Sequence, residues 1–546
     1  MTEESGSGAF DYIVVGAGTA GCVVATRLSQ SGKDKVLLLE AGGTDRRFWI
    51  RVPVGYGRTF ADPRVNWMYR TEPDPALAGR RGFWPRGKVL GGSGSINGMV
   101  YVRGLSSDFD GWRALGNPGW GFSDVLPYFK MAEDYCDTPD PTSLGHGGPI
   151  HVSDMTQDVH PLCRTFLEAC ASVGYPRIPD FNSQDPEGVG IYKITTRDGM
   201  RESTARGYLR AARKRPNLSV HLKSHALRIL FDGNRAAGVS YLHASTTREA
   251  RARKGVILCL GAINTPQLLQ LSGVGPGALL RRHGIGLSVE SPAVGQHLQD
   301  HLDLTFLYRS KVPTLNNELY PLSGKLKAGI RYLLTRRGQL AISINQAGGF
   351  VRSDAAQPHP NLQLYFSPLS YTRAQWPMRR LMNPDPFPAF MVSFNICRPT
   401  SSGRVEIRSA NPLEAPLIYP NSLSTEHDLR EALAGMHVLR KLGASAPLAR
   451  IIEREVSPGP EKQSDAELLE DFRERASTTF HPSCTCRMGP DPATSVVDAR
   501  LRVHGARALR IVDASVFPAI PTGNTNAPTI MVAEKGAALI AEDERG

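Results

Sequence analysis

The sequence predicts an α/β fold: a Rossmann-like dinucleotide-binding domain joined to a mixed α+β domain with an antiparallel sheet. Three observations predict it. A dinucleotide fingerprint stands at residues 11–40, with its strand, glycines, helix and acid all in place. Two later segments repeat that texture: the apolar run 255–262, which enters a glycine turn, and the run 509–513, which ends in an acid. Between them, over residues 300–475, the pattern changes to alternating strands, amphipathic helices and proline-rich loops.

The fingerprint starts with Tyr12-Ile13-Val14-Val15, a short apolar strand, and continues at once into Gly16-x-Gly18-x-x-Gly21. Gly16 permits the tight turn, Gly18 a close backbone approach to a pyrophosphate, and Gly21 close packing of helix on strand. Residues 22–30 then have helical character, and the helix N-terminus supplies amides that favour phosphate. Residues 36–39 form a second buried strand, and Glu40 follows where a carboxylate can accept from ribose hydroxyls.

The composition is that of a globular chain of two to four domain-sized units. Its 546 residues are 41% hydrophobic and 21% charged, and 54 glycines with 40 prolines indicate many loops. The net charge of +12 is spread over short clusters such as Arg80-Arg81 and Arg213-Lys214-Arg215. No basic helix and no nucleic-acid module is expected, so the charge reads as a basic surface that could favour anionic substrates or an anionic membrane. The polar start lacks a signal peptide and no run of 18 apolar residues occurs, so a cytoplasmic protein without a transmembrane segment is expected. The eight cysteines are dispersed apart from Cys484 and Cys486, and read as packed thiols; no metal-ligand spacing is present.

Along the chain, residues 42–85 are loop-rich. Residues 86–101 are dense in small residues and suit close approach to a flat or anionic ligand. Residues 108–135 have helical, amphipathic character, and a helix is expected over 162–173. A helix over 205–214 and strands over 218–222, 226–231 and 239–243 follow, with a hairpin turn at Asp232-Gly233-Asn234. A helix is expected from Thr265 to Leu271, with Pro266 in its first turn. In the second texture, strands are expected over 304–308, 361–366, 389–395 and 403–408, and helices over 427–442 and 465–476. A final helix over 526–542 would close the first domain.

Two segments in the last 70 residues carry candidate chemistry. Thr479-Phe480-His481-Pro482 sets a histidine between an aromatic and a rigidifying proline. Gly523-Asn524-Thr525-Asn526 is a turn just after the strand that ends at Asp513. Ligands of open α/β sheets collect at such strand ends.

Several segments, in order along essentially the whole chain, resemble the glucose–methanol–choline (GMC) oxidoreductases. They are residues 86–101, 261–275, 294–301 and the His481 and Asn524 segments. The nearest flavour is the choline dehydrogenase-like and primary-alcohol oxidase-like branch. The resemblance implies FAD, rather than NAD, on the fingerprint. It implies an FAD-binding domain built from 1–155, 200–305 and 475–546, and a substrate-binding domain from 156–199 and 306–474. It places the cofactor against Gly16, Gly18, Thr19, Ala20, Gly21, Glu40, Ala41, Trp67, Val89, Gly92, Asn97, Gly98, Met99, Val100, Ala226, Asp513, Ala514, Asn524 and Thr525. His481 and Asn524 match the family's catalytic pair. Phe480 and Gln346 are implied at the substrate. The position through which some choline oxidases tether FAD is Ile96 here, which implies non-covalent FAD. The glutamate that choline enzymes set against a trimethylammonium group falls at Gln346. A neutral primary alcohol, aromatic or furanic, is therefore expected over choline, with O2 or a quinone as acceptor. An FAD-containing hydroxynitrile lyase and a flavin-binding protein without catalysis are the other readings the fold allows.

Overall fold

The computed structural model describes residues 9–135, 143–183, 186–371 and 383–545. The chain opens with β1 (Ala9–Val15), α1 (Thr19–Leu28) and β2 (Val36–Leu39). β1 and β2 pair in parallel, Tyr12 opposite Val36 and Val15 opposite Leu39. Every residue of β2 is buried, as a strand covered on both faces requires. The helical stretch expected over 108–135 is two helices, α2 (Ser106–Ala114) and α3 (Phe122–Ala132). Gly116 and Gly119 break it with φ of +89° and +81°, a left-handed backbone that glycine adopts freely. Helix α4 (Leu162–Ser172) follows as expected, whereas the helix expected over 205–214 is a π turn, Ala205–Leu209, with one α turn after it.

Next come β3 (Leu218–His221), β4 (Ser224–Asp232), β5 (Arg235–His243) and β6 (Thr246–Leu258). The hairpin turn stands at Gly233-Asn234, with Gly233 at φ +60°. The sheet runs β3-β2-β1-β6-β5-β4. The first half of the long β6 pairs antiparallel with β5, and its second half pairs parallel with β1. Helix α5 (Gly261–Leu271) starts before the predicted Thr265, so Pro266 lies inside it. A proline there cannot donate to the carbonyl four residues back, Ala262. The Thr485 hydroxyl donates to that carbonyl instead, at 2.7 Å.

The second sheet is antiparallel. Its elements are β7 (Leu302–Ser310), α6 (Leu322–Thr335), β8 (Ala347–Val351), β9 (Leu362–Ser367), β10 (Ala389–Ile396), α7 (Glu426–Ala444), β11 (Ile452–Ser457), α8 (Asp465–Arg475) and β12 (Ser477–Thr478). The order is β8-β9-β10-β7-β11, with β12 also beside β7. Phe166 of α4 stacks on Phe366, and Phe394 packs on Phe472, so helices α4 and α8 cover one face. Residues 403–408 do not join this sheet: Arg404–Glu406 pairs with Leu417–Tyr419 in a separate ribbon. Contrary to the expectation of no basic helix, α6 carries Lys325, Lys327 and Arg331.

The chain then returns to the first sheet. β13 (Leu509–Ile511) lies parallel to β6, Val256 opposite Leu509. The closing helix α9 (Asn526–Asp543) packs on α1, where Thr19 donates to Asn526 at 2.9 Å and Arg27 grips Glu534 at 2.7 Å. The seven described cysteines are buried thiols; Cys136 and residues 1–8 lie outside the described residues. Among the described residues, no helix is long and apolar enough to cross a membrane.

Candidate active site

The carboxyl ends of β1, β2, β6 and β13 open onto one long cavity, and β7, β9 and β10 of the second sheet close its far side. The fingerprint glycines divide their work. A Cβ on Gly16 would meet the Cys259 carbonyl oxygen at 2.6 Å, and one on Gly21 would meet the Gly16 oxygen at 1.8 Å, so both are demanded by the chain's own packing. Gly18 is different: its nearest neighbours would be 3.8 Å away, yet it faces the cavity. Packing against protein does not require a glycine at that point, whereas close approach of a ligand does. Helix α1 begins there with no side-chain cap and no acid in its first turn. Its positive end is open to phosphate.

Two carboxylates flank this end. Glu40 accepts from the Ala17 amide at 3.0 Å and the Gly42 amide at 2.7 Å, and burial pushes its pKa up to about 7. Asp513 accepts from the Gly261 amide, the Thr265 hydroxyl and the Ser515 amide, and burial raises its pKa too. Thr19, Ala20, Ala41, Trp67, Gly92, Ala226, Ala514 and Thr525 stand in the same cavity wall. Trp67 lies flat on Tyr69, ring centres 5.8 Å apart. Asn97, Gly98, Met99 and Val100 pass along the middle. Asn97 holds that passage, its side-chain oxygen accepting from the Met99 amide at 3.1 Å and from Arg201 at 2.7 Å. This wall fits FAD: an open helix start for the pyrophosphate, an acid for the ribose, and small residues for a flat ring.

The far end holds His481 and Asn524. His481 Nε2 and Asn524 Nδ2 are 3.1 Å apart. The hydrogen-bond directions follow from groups that can act in only one way. His301 Nε2 lies 3.0 Å from the Cys397 carbonyl, which can only accept, so that nitrogen carries the proton. Burial lowers the His301 pKa to about 4, which keeps the ring neutral and makes its Nδ1 an acceptor. His481 Nδ1, 3.0 Å away, must then be the donor. From the other side, Tyr192 donates to the Leu364 carbonyl at 2.7 Å and accepts from Gln363. The Gln363 amide also donates to Asn524 Oδ1 at 3.2 Å, which turns the Asn524 amino group toward His481 Nε2. Both sides agree: Nε2 is the unprotonated nitrogen, and its lone pair accepts from Asn524 Nδ2. Burial, reinforced by His301 and Arg86, holds the His481 pKa well below 6.5.

Local backbone fixes these groups. Asp300 accepts from the His481 amide at 2.7 Å and from the Thr478 hydroxyl. Arg86 donates to the Phe480 carbonyl at 2.6 Å. Phe480 faces the cavity from a left-handed backbone, φ +71°, its ring edge-on to Phe60. The Asn524 turn is tied down by Asp108, which accepts from the Thr522 amide at 2.8 Å and its hydroxyl at 3.0 Å while pairing with Arg398. Gly523, at φ +88°, lets the chain turn there.

Three expected site residues, Gly21, Val89 and Gln346, do not line the cavity. Val89 is fully buried in a small cluster with Ile50, Val65 and Ile96. Gln346 does not face the cavity: its oxygen accepts from the His160 amide at 2.7 Å and its amino group donates to Gln339 at 2.9 Å. Its neighbour Asn345 lines the cavity instead. Gly21 supports the wall from behind. Residues that sequence reasoning missed are His301, Gln363 and Tyr192 behind the catalytic pair, and Asp303, Arg86 and Tyr365 in the wall. His301 ends the 294–301 segment and Asp303 stands two residues beyond it on β7, where a carboxylate on a strand was the available signal.

The chain belongs to the GMC oxidoreductase family. The family's N-terminal model matches residues 10–303 and its C-terminal model residues 399–533. It is thus an FAD-dependent, alcohol-oxidising type of enzyme. It is 41% identical over 536 residues to an alcohol dehydrogenase [acceptor] of Pseudomonas putida, covering 97% of this chain and 95% of that one. It is 44% identical over 542 residues to the oxygen-dependent choline dehydrogenase of Ectopseudomonas mendocina (strain ymp), covering 98% and 94%. Among solved structures it resembles pyridoxine 4-oxidase from Mesorbium loti, with a TM-score of 0.86, 31% identity and coverage of 97% and 98%.

Proposed function

We propose that the enzyme oxidises a primary alcohol to its aldehyde, with His481 as general base and Asn524 orienting the substrate oxygen. The observation that carries this reading is the pairing of His481 Nε2 with Asn524 Nδ2 at 3.1 Å, in the same cavity as the open start of α1. A buried neutral imidazole with Nε2 unprotonated is suited to take the hydroxyl proton when a substrate hydroxyl takes the place of the Asn524 contact. The Asn524 amino group is suited to donate to the oxygen as negative charge develops on it. When bound, FAD supplies hydride acceptance, the redox half of the reaction. Dissociable FAD belongs to the same proposal, since the hydrocarbon side chain of Ile96 has no nucleophile to tether a flavin. Acid precipitation then leaves the flavin in the supernatant; a yellow pellet overturns that point.

The argument for a neutral alcohol rested on Gln346, which faces away from the cavity. A second reading, a cationic alcohol such as choline, is favoured by one observation: an acidic residue, Asp303, lines the cavity together with Tyr365 and Tyr371. Anaerobic mixing of holoenzyme with benzyl alcohol, an aliphatic primary alcohol and choline separates the two by the rate of flavin bleaching. Bleaching also separates both from a lyase. In His481→Ala, reduction falls by roughly 10²- to 10⁴-fold with FAD retained; reduction at the wild-type rate overturns the assignment of the base.

A further inference from the structure

Helix α6 shows an apolar face to solvent. Leu322 is 82% exposed, Leu326 64%, Ile330 49%, Leu333 60% and Leu334 80%. At about 100° per residue the first four fall within an arc of about 80°, and Leu334 widens it to about 120°. The helix is held to the body from another side by Tyr332, whose hydroxyl donates to the Gly199 carbonyl at 3.0 Å. Single exposed leucines are ordinary on a protein surface; a continuous stripe of five on one helix is not. The flanks of the stripe are basic. Lys325 lies on one side and Lys327 on the other, and Arg331, although it pairs with Asp158, remains largely exposed. No acidic residue occurs between Leu322 and Thr335.

We infer that α6 is a membrane-docking helix that lies in the headgroup region of a bilayer bearing anionic lipid. The occupant follows from the combination. A protein partner would cover the leucines, but lysines on both sides of an apolar stripe match a surface that is apolar in its centre and negative at its rim, with the lysine stems lying along the acyl boundary. The net charge of +12 adds attraction to the same surface. A short segment leads from Thr335 to Ile344 and Asn345 in the cavity wall, so docking and the active site share one stretch of chain.

Flotation of the FAD-loaded enzyme tests this, using vesicles of phosphatidylcholine alone and of equal parts phosphatidylcholine and phosphatidylglycerol. The enzyme is expected to float with the anionic vesicles, and less with the neutral ones. In a Leu326→Glu, Ile330→Glu double variant the bound fraction falls by about tenfold or more. In Lys325→Glu, Lys327→Glu the preference for phosphatidylglycerol is lost. Both variants keep wild-type turnover with a soluble alcohol and an artificial acceptor, which shows that they fold. The proposal is overturned if wild type stays out of both vesicle fractions. It is overturned equally if the double variant only abolishes a concentration-dependent dimer in sedimentation, which would make a second copy the occupant.

Discussion

At the scale of single residues, the site is governed by two backbone carbonyls that face it from opposite sides. Cys397 and Leu364 can only accept, and between them they fix every donor from Tyr192 to His301. His481 is therefore held neutral and in one tautomer before substrate arrives. Its pKa is lowered, so the base is present at any pH above that lowered value and is lost only as pH falls through it. His481 itself is expected to give kcat/KM no limb near 6.5; burial raises Asp300, which holds the His481 amide, to about 7, so the contradicting result is a limb near 6.5 that persists in Asp300→Asn. His301→Ala removes one of the two acceptors of His481 Nδ1–H, leaving the Thr479 hydroxyl at 2.9 Å, and turnover is expected to drop about tenfold or more with FAD still bound. In that variant the acid limb of kcat/KM moves up in pH, because the cavity left behind eases desolvation of His481. That His481 and Asn524 belong together was legible in the sequence because both sit in short motifs, and the two side chains meet at 3.1 Å. Tyr192, Gln363 and His301 were not, since no local pattern marks a residue whose partner lies on another strand. Gln346 was misplaced by a single step: adjacent residues entering a strand face opposite ways, so Asn345 takes the cavity and Gln346 the interior.

At the scale of elements, α5 shows how tertiary contacts override a local signal. Pro266 reads as a first-turn proline, yet the helix runs back to Gly261 because Thr485 satisfies the Ala262 carbonyl. Thr485→Val keeps the shape and leaves that carbonyl buried and unpaired, a cost of about 1–3 kcal/mol. A lowered urea midpoint is expected, restored by Thr485→Ser. The βαβ opening, by contrast, was fully legible, because glycine spacing, apolar strands and acid all agree. Gly21→Ala sets a methyl group 1.8 Å from the Gly16 oxygen. Its expected outcome is protein that no longer retains flavin, read from the absorbance ratio of the purified enzyme.

At the scale of the whole molecule, the change of texture along the chain was enough to separate the two sheets, because buried parallel strands and antiparallel strands have different patterns. How they interlock was not legible. Residues 302–305 and 477–478 belong to the second sheet although they stand within stretches expected in the first domain. That interlocking lets both sheets wall one cavity, so a bound cofactor stabilises both. Stripping FAD is expected to lower the melting temperature, and free FAD at about 100 times its Kd is expected to return about 2.7 kcal/mol.

The contact of α9 with α1 joins residues more than 500 positions apart, Thr19 to Asn526 and Arg27 to Glu534. Asp513, Asn524 and Thr525 complete the wall that Gly16 begins. During synthesis the fingerprint leaves the ribosome well before the wall facing it. The nascent chain therefore carries half a flavin site until residues 509–529 emerge. Cofactor loading has to wait for them, and a chain truncated before Leu509 is expected to hold the fingerprint but no flavin.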